Sequence, residues 1–331
     1  MATQQTARET HGNYHRSVVV PSQMTRVRRA SARAARAIST QLAPELRRHR
    51  SLPSDVAVAW AGSRLCGALL GLHGIAGESR AELIDDCIDI LEPELCAAFE
   101  ATGSSKRRAL ASARRCVRSL MAALPRVQRT LMLDVDAAYE RDPAATSRTE
   151  IALAYPGIRA LCIYRIAHHF HQQRVPLVPR MLTESAHAST GIDIHPCATI
   201  GAVCFIDHGT SVVIGETTVI GCDCTLYQGV TLGARRFDRT KGGAIRRGLK
   251  RHPTLRDGVT VYANATILGG KTIIGSHSTI AASVLVQESV PSHSTVRPGK
   301  NEIVVARSDS SRRSERKSGN SARKSLRRTA R

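Results

Sequence analysis

The chain has 331 residues, with 48 Lys and Arg against 27 Asp and Glu for a formal charge of +21, and only 3% aromatic residues. That length buries a substantial core and accommodates two domains. No window reaches 18 uninterrupted apolar residues, and the best stretch, Val56 to Leu72, contains Arg64, so no membrane span is expected.

The surplus charge is concentrated at the ends. Residues 1–50 hold ten Lys or Arg beside Glu9 and Glu45, and residues 306–331 hold ten beside Asp309 and Glu315. Both segments offer little to bury and much self-repulsion, so they read as solvated, disordered basic tails. Without interleaved aromatics they make at most weak, salt-sensitive phosphate contacts, and nucleic acid is not expected as a partner. The first segment is Arg-rich and nearly acid-free like an organelle transit peptide, but it lacks a clean amphipathic pattern and reads as a nonessential extension. The nine cysteines form no CxxC pair and no zinc spacing, which suits reduced thiols in a cytosolic protein.

From Val56 to Glu140 the pattern is helical. Ser79 and Glu82 have capping-box spacing, and Ile84, Cys87, Leu91, Leu95 and Ala98 behind them mark one apolar face. Pro93 is expected to end or kink that helix. Further helices are expected over Ser105 to Leu120 and Arg126 to Tyr139. Asp142-Pro143 then breaks the chain, and a helical pair over Gly157 to Ser189 is divided by Pro176 and Pro179. His168, His169 and His171 fall on the first of that pair, where neighbouring side chains diverge around the helix, which argues against a metal site.

After Gly191 the period changes to six. Ile194, Ile200, Ile206, Ile214, Ile220, Leu226 and Leu232 form one series, and Leu255, Val261, Ile267, Ile274, Ile280 and Val286 a second. Neither a helix nor an alternating strand repeats at six; a β-helix of hexapeptide repeats does, each repeat sending one aliphatic side chain inward. A β-sandwich would alternate at two instead. The count breaks twice, between Ile206 and Ile214 and between Ile267 and Ile274. Between the two series lies a basic, glycine-containing loop, residues 234–251, a candidate substrate arm. Residues 51–190 thus read as an α-helical domain and residues 191–305 as a β-helix domain.

Three polar pairs stand out in the coil: Asp193 with His195, Asp207 with His208, and Arg251 with His252. A histidine beside a carboxylate is suited to general-base work, the carboxylate fixing its tautomer. Asp193 and His208 are nearly one turn apart if each turn holds three hexapeptides, which would stack them on neighbouring rungs.

Between Asp142 and Val305 the chain resembles serine O-acetyltransferase of the hexapeptide-repeat acyltransferases. The resemblance is carried by GIDIHP (191–196), FIDHG (205–209), VIGET (213–217), LYQGVTLG (226–233), KRHP (250–253) and ANATILG (263–269). It implies an α+β subunit, an N-terminal α-helical domain followed by a C-terminal left-handed parallel β-helix, transferring acetyl from acetyl-CoA to the hydroxyl of L-serine in cysteine biosynthesis. His208 then corresponds to the base and Asp193 to its orienting partner. Asp142 and Asp207 correspond to the carboxylates that hold the serine ammonium, and Arg251 and His252 to the groups that face its carboxylate. Gly233, Ala263 and Ala282 correspond to the small residues along which coenzyme A lies. The family's precedent further implies acetyl-CoA as co-substrate, no metal, and a homotrimer or a dimer of trimers. The sulfhydrylase docking that some members achieve through a C-terminal isoleucine is not expected, because the basic tail ends in Arg331, and neither is cysteine feedback. Other readings of the same coil are an acetyltransferase for homoserine or a sugar, a zinc hydratase using His195, His208 and His252, and a nonenzymatic trimeric scaffold with polyanion-binding tails.

Overall fold

A computed structural model describes residues 52–72 and 79–299, together with Ala34. The expectations for the two basic tails fall outside these residues. Among the described residues six helices precede a parallel β-helix of fourteen short strands. They are α1 (Asp55–Leu70), α2 (Arg80–Ala101), α3 (Lys106–Arg141), α4 (Arg148–Ala154), α5 (Pro156–Gln172) and α6 (Val178–Thr190).

The helices begin where the sequence supplies caps. Ser79 accepts from the Glu82 N–H at 3.2 Å while the Glu82 carboxylate accepts from the Ser79 N–H at 2.7 Å. The expected stop at Pro93 does not occur, and the two helices expected either side of Pro125 are the single 36-residue α3. The reason is which way each proline faces. Pro93, Pro125 and the Asp89 carbonyl that Pro93 cannot bond all lie on exposed turns, so water replaces the lost hydrogen bond. The short α4 had its own signal, Ser147 capping the Glu150 N–H at 3.1 Å, one more Ser-x-x-Glu.

The coil closes as the six-residue period requires, as a left-handed β-helix with three parallel sheets for its sides. The first holds β1 (Ile192–Ile194), β4 (Val212–Ile214), β7 (Thr231–Gly233), β10 (Thr266–Leu268) and β13 (Leu285–Val286); the second β2 (Thr199–Ile200), β5 (Val219–Ile220), β8 (Thr254–Leu255) and β11 (Ile273–Ile274); the third β3 (Phe205–Ile206), β6 (Thr225–Leu226), β9 (Thr260–Val261), β12 (Thr279–Ile280) and β14 (Thr295–Val296). Inside, the repeat residues stack in columns: Ile194, Ile214, Leu232, Ile267 and Val286 in one, Ile200, Ile220, Leu255 and Ile274 in another. All of them are buried, each worth roughly 1.5–3 kcal/mol.

Helices and coil are clasped at the first turn. Asp134 on α3 is fully buried; it takes two hydrogen bonds from Arg165 on α5, at 2.8 and 3.0 Å, and one from the Cys204 N–H at 2.9 Å. Burial pushes the Asp134 carboxyl up to about 6, against the pull of Arg165. Gly157 of α5 lies so close that a Cβ there would meet the Ile206 carbonyl oxygen at 2.2 Å.

Candidate active site

The two breaks in the period and the base of the long loop place nearly all the chemistry on two corners of the coil. At the first corner the Asp207 N–H bonds the Leu226 carbonyl at 2.8 Å, and the Thr210 carbonyl accepts from Gly229 at 2.8 Å. Asp207 therefore lies beneath Tyr227 and Thr210 beneath Gln228, which leaves His208 and Gly209 as surplus residues that bulge outward. His208 holds a left-handed backbone (φ 54°), followed by Gly209 (φ 78°), a corner conformation it shares with Val203, Asp223, Asn264 and Ser283 elsewhere on the coil. Its side chain is 71% exposed, with the Asp207 carboxylate 3.7 Å from Nδ1.

Asp142, the residue that ends α3, belongs to the same corner. The Tyr155 hydroxyl donates to it at 2.5 Å and the Ala144 N–H at 2.8 Å, and these bonds, the tyrosine's first, hold its carboxyl below the usual range. Tyr155 is itself pushed up to about 12 and stays a donor. Burial raises the Asp207 carboxyl, while His208 pulls it back and Asp142 adds to the rise. Two carboxylates so placed make a seat for a cation. Above them Tyr227 and Tyr262 stack with ring centres 5.0 Å apart. Along the next column, Gln228, Ala263 and Ala282 follow one another up the coil, as the bonds from Asn264 to Gln228 and from Ser283 to Ala263 require. The Gln228 Oε1 is buried with no partner among the described residues, an acceptor open to an incoming N–H.

The second corner lies one full side of the coil away, six residues or roughly 20 Å of strand. There His252 is only 7% exposed, and its Nδ1 accepts from the Thr217 N–H at 3.0 Å with the Thr217 hydroxyl at 2.9 Å. An Nδ1 that accepts a backbone N–H carries no proton, so Nε2 is the N–H donor. Burial first, then Arg251, depresses the imidazole to about 4, so it is neutral across the physiological range. The same Thr217 oxygen accepts the N–H groups of Arg251 at 2.9 Å and His252 at 3.0 Å. Arg251 pairs with Glu216, whose carboxyl is held low because that hydrogen bond and charge outweigh its burial. Gly215 makes room: a Cβ there would lie 2.1 Å from the His252 ring. His195 joins this corner electrostatically, its own pKa lowered by burial and by Arg180.

Asp193 falls at neither corner. It is the middle residue of β1, opposite Val213, and its carboxylate faces Arg180 at 3.5 Å. The expected stacking of Asp193 beneath His208 is thus corrected: the residue above Asp193 is Val213, and His208 comes before it on the preceding corner, short of a full turn. Gly233 ends β7 at the second corner, whereas Ala263 and Ala282 belong to the first. Tyr155, Glu216 and Thr217 escaped the sequence reading as site residues, although two of them lie in VIGET. Among the described residues no cluster of His, Cys, Asp and Glu is placed to hold a metal ion, and no helix is long and apolar enough to cross a membrane.

No family model matches the chain. A plasmid-borne serine acetyltransferase of Synechococcus elongatus is 51% identical over 174 residues, 53% of this chain and 54% of that relative, so the match spans about half of its length. A serine acetyltransferase of Helicobacter pylori is 45% identical over 178 residues, 53% of this chain and 98% of the relative. Among solved structures, serine acetyltransferase 1 of Entamoeba histolytica in complex with L-cysteine superposes with a TM-score of 0.64 at 33% identity, covering 83% of this chain and 99% of that one. With most of such relatives' lengths matched at these identities, the chain belongs to the serine acetyltransferase family.

Proposed function

We propose that the chain transfers acetyl from acetyl-CoA to the hydroxyl of L-serine, giving O-acetyl-L-serine and CoA. The observation that carries this is the division of charge between the corners: two carboxylates beside an exposed histidine at one, an arginine and a neutral N–H-donating histidine at the other. An amino-acid zwitterion needs both. In this reading Asp142 and Asp207 hold the ammonium, Arg251 and the Nε2–H of His252 hold the carboxylate, and His208 takes the hydroxyl proton as the oxygen attacks the thioester carbonyl. The C–S bond then breaks and His208 returns the proton to the departing thiolate.

The corners are too far apart on one chain to meet a single serine, so the site is completed between copies. We read the assembly as a homotrimer, or a dimer of trimers, in which Arg251, His252 and Asp193 of one copy face His208 of its neighbour, with Asp193 orienting the imidazole. The pantetheine arm then lies along Gly233 on one side and Ala263 and Ala282 on the other, its amide N–H near Gln228. Residues 51–190 serve as the helical domain, residues 191–305 as the acyltransferase domain, and the basic tails as dispensable flanks. The product feeds cysteine biosynthesis in the cytoplasm, and no metal is needed.

The test is thiol release from acetyl-CoA with L-serine, L-homoserine and a sugar as acceptors. Release with L-serine well above the others is expected, and a preference for another hydroxyl overturns the substrate. Sedimentation at micromolar concentration should give a trimer or larger, and a monomer would remove the shared site.

A further inference from the structure

Away from both corners, a recess of about 300 Å³ opens where α3 and α5 meet the second side of the coil. Most of its polar groups are already engaged. Arg165 is held by Asp134 and by the carbonyls of Ile200 and Gly201, at 3.4 and 3.0 Å. The Tyr164 hydroxyl donates to the Ala198 carbonyl at 2.5 Å and accepts from the Ile200 N–H at 3.1 Å. His168 is satisfied as well: its Nδ1 donates to the Pro196 carbonyl at 2.8 Å, and its Nε2 accepts from Gln172 at 2.9 Å. His169 and Arg126 are not. The imidazole of His169, only 7% exposed, meets the Ser119 hydroxyl through Nε2 at 3.1 Å, but its Nδ1 is buried with no partner among the described residues. On the facing helix, the Arg126 guanidinium makes no hydrogen bond or ion pair among the described residues. No carboxylate lines the recess.

A cation and an unmet imidazole nitrogen on one recess call for an anion that accepts hydrogen bonds. The Ser119 hydroxyl can turn to donate to Nε2, which leaves the His169 proton on Nδ1. Burial first, then Arg126, lowers the pKa of this imidazole, so it offers a neutral N–H rather than a second charge. One full charge with one N–H suits a carboxylate, whose two oxygens match the guanidinium fork and keep a lone pair for the imidazole. Val127 of α3 and Ile200 and Ala202 of the coil supply an apolar wall beside it. We propose that this recess binds a small organic monocarboxylate, its charged end between Arg126 and Nδ1 of His169 and its apolar body against Val127, Ile200 and Ala202. A volume of about 300 Å³ stands at the lower end for small-molecule sites, which fits a compact acid. A bare oxyanion would leave the apolar wall uncovered. None of these residues takes part in the proposed acetyl transfer, so the two readings stand or fall separately.

The experiment is calorimetric titration of the full chain with acetate, isobutyrate and benzoate, with isobutyramide and benzamide as uncharged controls and sulfate as a bare oxyanion. Isobutyrate or benzoate should bind more tightly than acetate, with affinity falling as salt is added, and neither amide should bind. Arg126→Gln changes an exposed side chain, should fold as the parent does, and should weaken binding roughly 10-fold or more, the effect of losing a charged hydrogen bond. His169→Phe keeps the ring's shape and should weaken it roughly 3- to 10-fold. Arg251→Gln should leave it unchanged, which separates this recess from the second corner, where the serine carboxylate is proposed to sit. The bound acid should raise the melting temperature of the parent and not that of Arg126→Gln. Absence of binding by every carboxylate overturns the proposal, and so does binding that survives Arg126→Gln or is lost in Arg251→Gln. Sulfate that matches the best carboxylate and depends on the same residues overturns the organic ligand. Acetyl transfer is read in no arm, so a failure of the proposed function leaves this result intact.

Discussion

The two histidine-bearing corners of the coil are built to opposite specifications. His208 stands on a two-residue bulge, 71% exposed, with its nearest carboxylate 3.7 Å away. His252 is 7% exposed, locked by Thr217, and kept neutral by burial. A residue proposed to carry a proton has to reach solvent and change charge at little cost. A residue proposed to receive a carboxylate has to keep one tautomer and one direction. The same side chain is thus fitted to two tasks by what its neighbours permit.

The comparison breaks most sharply at His208. His208→Ala should lower turnover with L-serine by about 10² to 10⁴, roughly 3 to 5 kcal/mol of barrier, with acetyl-CoA binding unchanged. Asp193→Asn should cost less, since it misdirects the base without removing it; near-normal turnover in His208→Ala would reverse the roles. Next in size is the clasp beneath both corners. Asp134→Ala leaves Arg165 buried without its counter-charge and should destabilise the fold by about 3–5 kcal/mol in urea titration, whereas an exposed pair such as Arg148 with Asp136 should contribute under about 1 kcal/mol.

Thr217→Val sharpens the contrast by unlocking only the second corner. It strips one acceptor from two N–H groups and should cost about 1–3 kcal/mol, seen mainly as a raised KM for serine with turnover nearly kept. The smallest effect is a pH dependence. His252 titrates near 4 when folded and near ~6.5 when unfolded, so the unfolded chain binds the extra proton between those values and stability falls as pH is lowered through that window. Between pH 6.5 and 5 His252 alone should account for a loss of about 1–2 kcal/mol, opposed by Asp134, whose raised carboxyl takes up a proton on folding in the same window. The readout is therefore the difference between the parent and His252→Asn profiles, and superimposable profiles would remove His252 from the pH dependence.

Much of this was legible in the sequence because the coil's interior admits one aliphatic per repeat, so that Ile194 through Val286 declare the sides, and the breaks at Ile206 and Ile267 declare the two corners that depart from the plain repeat. The helices were less legible, since whether Pro93 or Pro125 stops a helix depends on which way its turn faces once packed. Asp142, Asp207, His208, Arg251 and His252 were named from their motifs. The shift of Asp193 away from His208 was not legible, because it follows from the length of the first turn in space. Thr217 and Tyr155 matter for which backbone groups and carboxylates they meet, and one chain of letters does not state who sits on the next rung.

The register across the arm has one more consequence. Val219 lies opposite Thr254 as squarely as Val213 lies opposite Thr231, although the whole arm intervenes in the first case and a plain turn in the second. The coil therefore counts inward-facing aliphatics, and length added at a corner is invisible to it. Since closing a longer loop costs only about 0.6 kcal/mol per doubling, the corner after Gly233 is a port where sequence can be spliced in or trimmed with no rewinding elsewhere. A peptide grafted between Lys241 and Ala244 should therefore ride on the scaffold without altering its melting.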